Sequence, residues 1–203
     1  MAIVTDLELI AEFRAGNSHG FEELLKRYTP KAFSLALRLT RNVEDAEEVL
    51  QDVFVTVYRK IAGFEGKSTF SSWLYRVTVN ASFMKLRKKK QERALHLEDV
   101  LPQFQDSVML RASEHGEGDQ ATLRSQVFAA LEGAISGLPD DYRPVFVLRD
   151  VDGLTSREVA RILDLTIPAV KSRLHRSRLM VRRQLHTFYK EYASGSERAE
   201  RAA

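Results

Sequence analysis

From Glu44 to Ile61 the residues Ala46, Val49, Leu50, Val53, Phe54, Val57, Tyr58 and Ile61 fall on one face of a 3.6-residue period. The spacing predicts a helix there. Asn42 is placed to cap it, and Glu44 and Asp45 occupy the first turn, where carboxylates favour the positive end of the helix dipole. Upstream, Phe21, Leu24, Leu25 and Tyr28, then Phe33, Leu37 and Leu39 beyond Pro30, predict one or two helices packing on that face. After a break at Gly63-Phe64-Glu65-Gly66-Lys67-Ser68, the residues Phe70, Trp73, Leu74, Val77, Ala81 and Met84 predict a second long helix from about Thr69 to Lys88. It ends in a cationic cluster of Lys85, Arg87, Lys88, Lys89 and Lys90.

From Gln91 to about Thr122 the periodicity fades and acids outnumber bases, which reads as an acidic linker. Order returns with Val127, Phe128, Leu131, Ala134, Ile135 and Leu138, ending at Gly137-Leu138-Pro139. A helix opening on Asp140 and Asp141 and reaching about Val151 follows, with Pro144 uncomfortably inside it and Gly153 closing it. Two short helices come next, and the small, charged tail is expected to be disordered. No strand-like alternation appears. The expected fold is all-α: two small helical domains at 1–90 and 123–190, an acidic linker at 91–122 and a disordered tail at 191–203.

Composition narrows the chemistry. With no cysteine in 203 residues, disulfides, thiolate metal sites and thiol nucleophiles are excluded. The five histidines are scattered without metal-ligand spacing and no glycine-rich phosphate loop is present, which argues against an enzyme and predicts no cofactor. No stretch approaches the roughly 20 apolar residues of a membrane span, and Met1 to Arg14 carries acids rather than a signal-peptide pattern, so a cytoplasmic protein is expected. The net charge is only +3, but the charges are segregated along the chain.

The rear segment has the pattern of a DNA reader. Thr155-Ser156-Arg157-Glu158 is a capping box, and Val159, Ile162 and Leu163 give the helix behind it one apolar face. About three residues later Thr166 is placed to cap another helix, with Ile167 and Pro168 in its first turn. Helix, tight turn, helix is the helix-turn-helix arrangement. A 100° step per residue turns Val170, Leu174, Ser177 and Val181 inward and Ser172, His175 and Arg176 outward, flanked by Ala169, Lys171 and Arg173. Such a helix fits the major groove, with basic side chains around it for phosphates. Arg178, Arg182 and Arg183 extend the positive surface.

The order of motifs points to one family. Asp45-Ala46-Glu47-Glu48-Val49-Leu50-Gln51-Asp52-Val53-Phe54, the run from Phe64 to Val77, and Asn80 resemble region 2 of extracytoplasmic-function (ECF) sigma factors. Leu138-Pro139-Asp140-Asp141-Tyr142-Arg143, Leu148-Arg149, Asp152-Gly153-Leu154-Thr155, Glu158-Val159-Ala160 and the run from Val170 to Arg176 resemble region 4 of the same family.

The resemblance implies a promoter-recognition subunit of bacterial RNA polymerase. Glu48, Gln51, Asp52 and Val55, on the outward face of the helix from Glu44, would dock on the clamp helices of the beta-prime subunit, and the rear domain on the beta flap. Phe64, Lys67, Ser68, Trp73, Arg76, Asn80 and Arg87 would hold the opened minus-ten strand by stacking and phosphate contact. Arg149, Thr155, Lys171, Ser172, Arg173, His175, Arg176 and Arg178 would read the minus-thirty-five duplex. Trp73 also fits a buried stripe, and Met84 stands where the family often has an acidic or amide residue. The resemblance further implies an anti-sigma factor, through which the protein would be held at the inner membrane. The rival reading is a helix-turn-helix regulator that does not recruit core polymerase; it would need a receiver or ligand-binding domain, which the front half does not resemble.

Overall fold

The computed structural model describes residues 4–96 and 119–202, and every regular element among them is helical. The chain divides into two compact units, Met1–Phe104 with Arg157–Leu165, and Gln105–Ser156 with Thr166–Ala203. The linker expected at 91–122 lies for the most part outside the described residues; its two ends are helical.

Four helices build the first unit: α1 (Asp6–Arg14), α2 (Ser18–Thr40), α3 (Val43–Lys60) and α4 (Phe70–His96). A 3-10 turn, Ile61–Gly63, follows α3. The α3 stripe is buried as its spacing requires: Ala46, Val49, Val53, Val57 and Ile61 are each at most 2% exposed, packed among Leu24, Ala32 and Ala36 of α2 and Phe70 and Leu74 of α4. Asn42 caps α3 by accepting from the Asp45 amide at 2.7 Å. Tyr58 departs from its expected inward place: it is 58% exposed, although its ring meets the edges of Phe13 and Phe21.

Pro30 does not divide α2, which is one helix of 23 residues. A proline inside a helix costs about 3 kcal/mol, and a fully buried Leu contributes about 1.5–3. Leu24 on one side of Pro30, and Leu35 and Leu39 on the other, are each 1% exposed, so their joint burial outweighs the break.

Helix α1 was not assigned from the apolar pattern. Its signal is the T-x-x-E box at Thr5 to Glu8, in which the Thr5 hydroxyl accepts from the Glu8 amide and the Glu8 carboxylate accepts from the Thr5 amide. The Thr5 amide, and after it the Thr5 hydroxyl, both donating to that carboxylate, hold the exposed Glu8 carboxyl below its ordinary pKa. Asp6 ties α1 to α2 by accepting from Arg27 at 2.7 Å and from the Tyr28 hydroxyl. Burial, then that carboxylate, push the Tyr28 phenol upward, so it remains a donor. The two helices cross closely at Gly20, where an added Cβ would sit 2.2 Å from the Leu9 carbonyl oxygen.

The second unit contains α5 (Asp119–Ser136), α6 (Arg143–Phe146) continued by a π turn (Val147–Val151), and α8 (Ile167–Ala202); between them in sequence lies α7 (Ser156–Leu163). Ala134, Ile135, Leu138, Val145, Val147, Leu148, Val170, Leu174 and Val181 form its apolar interior. Because α6 starts at Arg143 rather than at Asp140, Pro144 falls in the first turn, where its missing N–H is no loss. The π turn closes with the Asp152 amide donating to the Val147 carbonyl at 2.9 Å, and Gly153 at φ +74° ends it.

Arg143, which the sequence reading left unassigned, is 1% exposed. It donates to Asp140 at 3.0 Å and to the carbonyls of Ser136 and Leu138, and so satisfies the end of α5 with a cation where the dipole favours one. Helix α8 runs unbroken to Ala202, where a short helix and a disordered tail were expected. Extending an existing helix avoids the nucleation cost, and the Ser-Glu-Arg-Ala run contains good helix formers. No helix among the described residues is long and apolar enough to cross a membrane.

The close crossing at Gly20 makes a direct test of the α1–α2 seam. Gly20→Ala should lower stability by about 1–3 kcal/mol through overpacking against backbone. Gly133→Ala, whose Cβ meets nothing within 4 Å, should be neutral or stabilising by up to about 1 kcal/mol. Urea midpoints of the two variants measure both.

Candidate nucleic-acid interface

Helix α8 presents the side chains expected of a recognition helix. Thr166 caps it, its hydroxyl accepting from the Ala169 amide at 3.3 Å. The turn before it, Asp164 to Thr166, places Asp164 at φ +53°, in the left-handed region that Asp tolerates better than most residues, and the Leu165 amide donates to the Ala160 carbonyl at 2.9 Å. Val170, Leu174, Ser177 and Val181 are buried, as the 100° count required. Lys171, Ser172, His175 and Arg176 are exposed, and Thr155 ahead of α7 is exposed as well.

The arginines there are not equivalent. Arg173 is half-buried and donates to the Asp141 carbonyl at 3.3 Å, and Arg176 reaches the Tyr142 hydroxyl at 3.4 Å. Arg178 makes a bidentate pair with Asp150, both bonds 2.7 Å long. Its charge is thus offset by Asp150, although the side chain is 54% exposed. Arg149 lies half-buried in the π turn. The open positive face is carried by Lys171 and Arg176, with His175 and Ser172 beside them.

In the first unit the expected strand-binding residues separate. Phe64 is 8% exposed; its ring packs 5.9 Å from Phe70 and 5.5 Å from Trp73. That burial is worth about 2 kcal/mol, comparable to the stacking of one base, and one ring face cannot supply both. Phe64 is therefore a core residue of the free protein, and its ring is not open to a base. Trp73 is half-buried in the same cluster. Lys67 and Ser68 in the loop are exposed, and Lys67 pairs with Glu65. Asn80, Arg76 and Arg87 are exposed on α4, as is Met84 at 70%.

The cationic end of α4 is divided too. Lys85 and Lys89, one turn apart, face α3: Lys89 pairs with Asp45, and Lys85 with Glu48 and, at 3.7 Å, with Asp45. The bond to Glu48 raises the Lys85 pKa, while partial burial opposes it. Arg87 and Lys90 remain exposed. Glu48, on the outward face of α3 as expected, is 62% exposed and holds Lys85. Gln51, Asp52 and Val55, at 49%, are exposed on the outer face of α3. The helical period located these faces, but it is silent on which charges pair across helices.

A capped helix, tight turn and basic outer helix face, on a chain with a second cationic helix end in its other unit, define a sequence-reading DNA-binding protein. Residues 24–92 match the family model for Sigma-70 region 2, and residues 128–181 match that for Sigma-70 region 4. The chain is 30% identical to the ECF RNA polymerase sigma factor SigW of Bacillus subtilis over 87% of its own length and 94% of that protein's. It is 31% identical to the ECF RNA polymerase sigma-E factor of Haemophilus influenzae, over 90% and 96%. Among solved structures, the sigma factor RpoE in complex with the anti-sigma factor NepR from Bartonella quintana shares the fold, with a TM-score of 0.67 at 23% identity over 82% of this chain and 96% of that one. The chain belongs to the sigma-70 family and is an ECF RNA polymerase sigma factor, a non-enzymatic subunit that initiates transcription.

The Asp150–Arg178 pair gives a prediction that the sequence does not. Asp150→Asn should free the Arg178 cation, raise affinity for nonspecific duplex at low salt, and steepen the dependence of log K on log salt by about one phosphate contact, a slope change of roughly 0.9. Fluorescence-anisotropy titrations over a salt series measure it.

Proposed function

We propose that the two helical regions divide promoter recognition as follows. Residues 123–190 read the minus-thirty-five duplex through α8, with Ser172, His175 and Arg176 in the major groove, and Lys171, Thr155, Arg149 and Arg173 toward the phosphates. Residues 1–90 hold the opened minus-ten strand with the exposed loop residues Lys67 and Ser68, with Arg76, Asn80 and Arg87 of α4, and with the uncovered edge of Trp73. The observation that carries this reading is that from Ala169 to Ser177 the side chains of α8 left outside its apolar stripe are polar, basic or small, on a helix entered through a tight turn.

Gln51, Asp52 and Val55 form the surface that docks on the beta-prime clamp helices. An acidic and amide face interrupted by an exposed valine suits a protein partner, where a few desolvated residues carry most of the binding. The second unit meets the beta flap. A restraining anti-sigma factor is proposed by analogy with the RpoE–NepR complex and with CnrH, solved with the cytosolic domain of CnrY, whose fold this chain shares at a TM-score of 0.61. The site of action is the cytoplasm, with attachment to the inner membrane only through such a partner.

Run-off transcription with purified core enzyme on a library of promoter fragments tests the whole scheme: discrete start sites with shared upstream elements are expected, and their absence rejects it. Within the scheme, Arg176→Ala should cost on the order of 1–3 kcal/mol on cognate promoters and relax preference at one position, whereas Lys171→Ala should weaken all sequences alike. The double variant Gln51→Ala, Asp52→Ala should reduce capture of core polymerase about tenfold, near 1.4 kcal/mol, and leave duplex binding by the free protein unchanged. Pull-down titration of core enzyme alongside anisotropy on duplex reads the two effects separately.

A further inference from the structure

Between the 3-10 turn and α4 the chain has no regular structure from Phe64 to Thr69, yet two contacts fix its start, and α1 lies close to its middle. The Phe64 ring is sunk among Phe70 and Trp73. The Phe64 carbonyl, which no helix ladder uses, accepts from the Arg14 guanidinium at the last turn of α1. Gly66, at φ +70°, lies beside Leu7 of α1: an added Cβ would come 3.8 Å from the Leu7 Cδ2. Leu7 is 62% exposed, so its side chain stands largely in water beside the loop. Helix α1 is in turn held on α2 by Asp6 and by the close approach at Gly20.

From these contacts we infer that α1 is a positioning element for the minus-ten loop, with Arg14 as its latch and Leu7 as a second point of support. The inference rests on the proposed reading that Lys67 and Ser68 meet the opened strand. Arg14 fixes where the chain leaves the aromatic cluster, and so fixes where the next four side chains are presented. A charge-assisted bond to a backbone carbonyl suits this purpose, because it acts on the path of the loop rather than on any one side chain. Without the latch the loop would still start from the buried Phe64 ring but sample more orientations beyond it. Loss of order in a recognition loop weakens discrimination among bases before it weakens the fold.

The test uses the full chain and its holoenzyme. Trp73 is the only tryptophan and touches Phe64, so its emission reports on the loop's root directly. In Arg14→Ala, amide exchange across residues 64–69 should speed up about tenfold, as expected for loss of a charged hydrogen bond, and the Trp73 emission should shift, while α3 amides keep their protection. Arg14→Lys, which retains a cationic donor, should restore most of both signals, and Leu7→Ala should give a smaller change of the same kind. On promoters the holoenzyme is shown to use, transcription from templates with single minus-ten substitutions should discriminate less well with Arg14→Ala, with capture of core polymerase unchanged. Unaltered exchange and emission in Arg14→Ala would overturn the latch. A loosened loop with intact discrimination, when Lys67→Ala or Ser68→Ala does change discrimination, would overturn the positioning role while leaving the loop as reader. Intact discrimination in all of these variants would reject the loop as reader, and the inference with it.

Discussion

Val49, Val53 and Val57 cannot remain in water, and covering them on α2 and α4 decides most of what the first unit does. Once that stripe is buried, the opposite face of α3 has to be wet, and the residues there are Gln51, Asp52 and Val55. The same packing brings the start of α3 beside the far end of α4, where Asp45 and Glu48 take Lys85 and Lys89. The Glu48–Lys85 pair, with Glu48 in water, contributes at most about 1 kcal/mol. The larger effect of these pairs is on the surface, because Lys85 and Lys89 are turned to the protein while Arg87 and Lys90 stay exposed.

The second unit follows the same logic with a different outcome. Burial of Val170, Leu174 and Val181 orients α8, so that Lys171, Ser172, His175 and Arg176 stay outside. Buried Arg143 closes the end of α5, and Asp150 holds Arg178. A sigma factor must bind duplex tightly enough to locate a promoter and loosely enough to leave other DNA. Drawing Arg178 into an internal pair, while leaving Arg176 and Lys171 exposed, lowers the charge that α8 offers for indiscriminate phosphate contact.

Much of this was legible in the chain. The stripes of α3 and α8, the caps at Asn42 and Thr166, the closing Gly153 and the family itself follow from local spacing and motif order, because helical periodicity and capping are properties of neighbours in sequence. The reading failed where a decision belonged to residues far apart. Pro30 suggested a break, and only the burial of leucines on both sides of it showed that α2 continues. Phe64 has the chemistry to stack on a base, and only its contacts with Phe70 and Trp73 show that its ring is already used. Glu48 and Arg178 looked free for partners because nothing local reveals Lys85, 37 residues away, or Asp150, 28 residues away.

The sequence by itself determined which faces of which helices are apolar, where most helices start and to which family the chain belongs, since each is written in short-range order. Tertiary structure alone decided which of the outward charges are neutralised, which aromatic rings are core and where α1 rests, since those depend on side chains brought together across tens of residues by the burial of the apolar stripes.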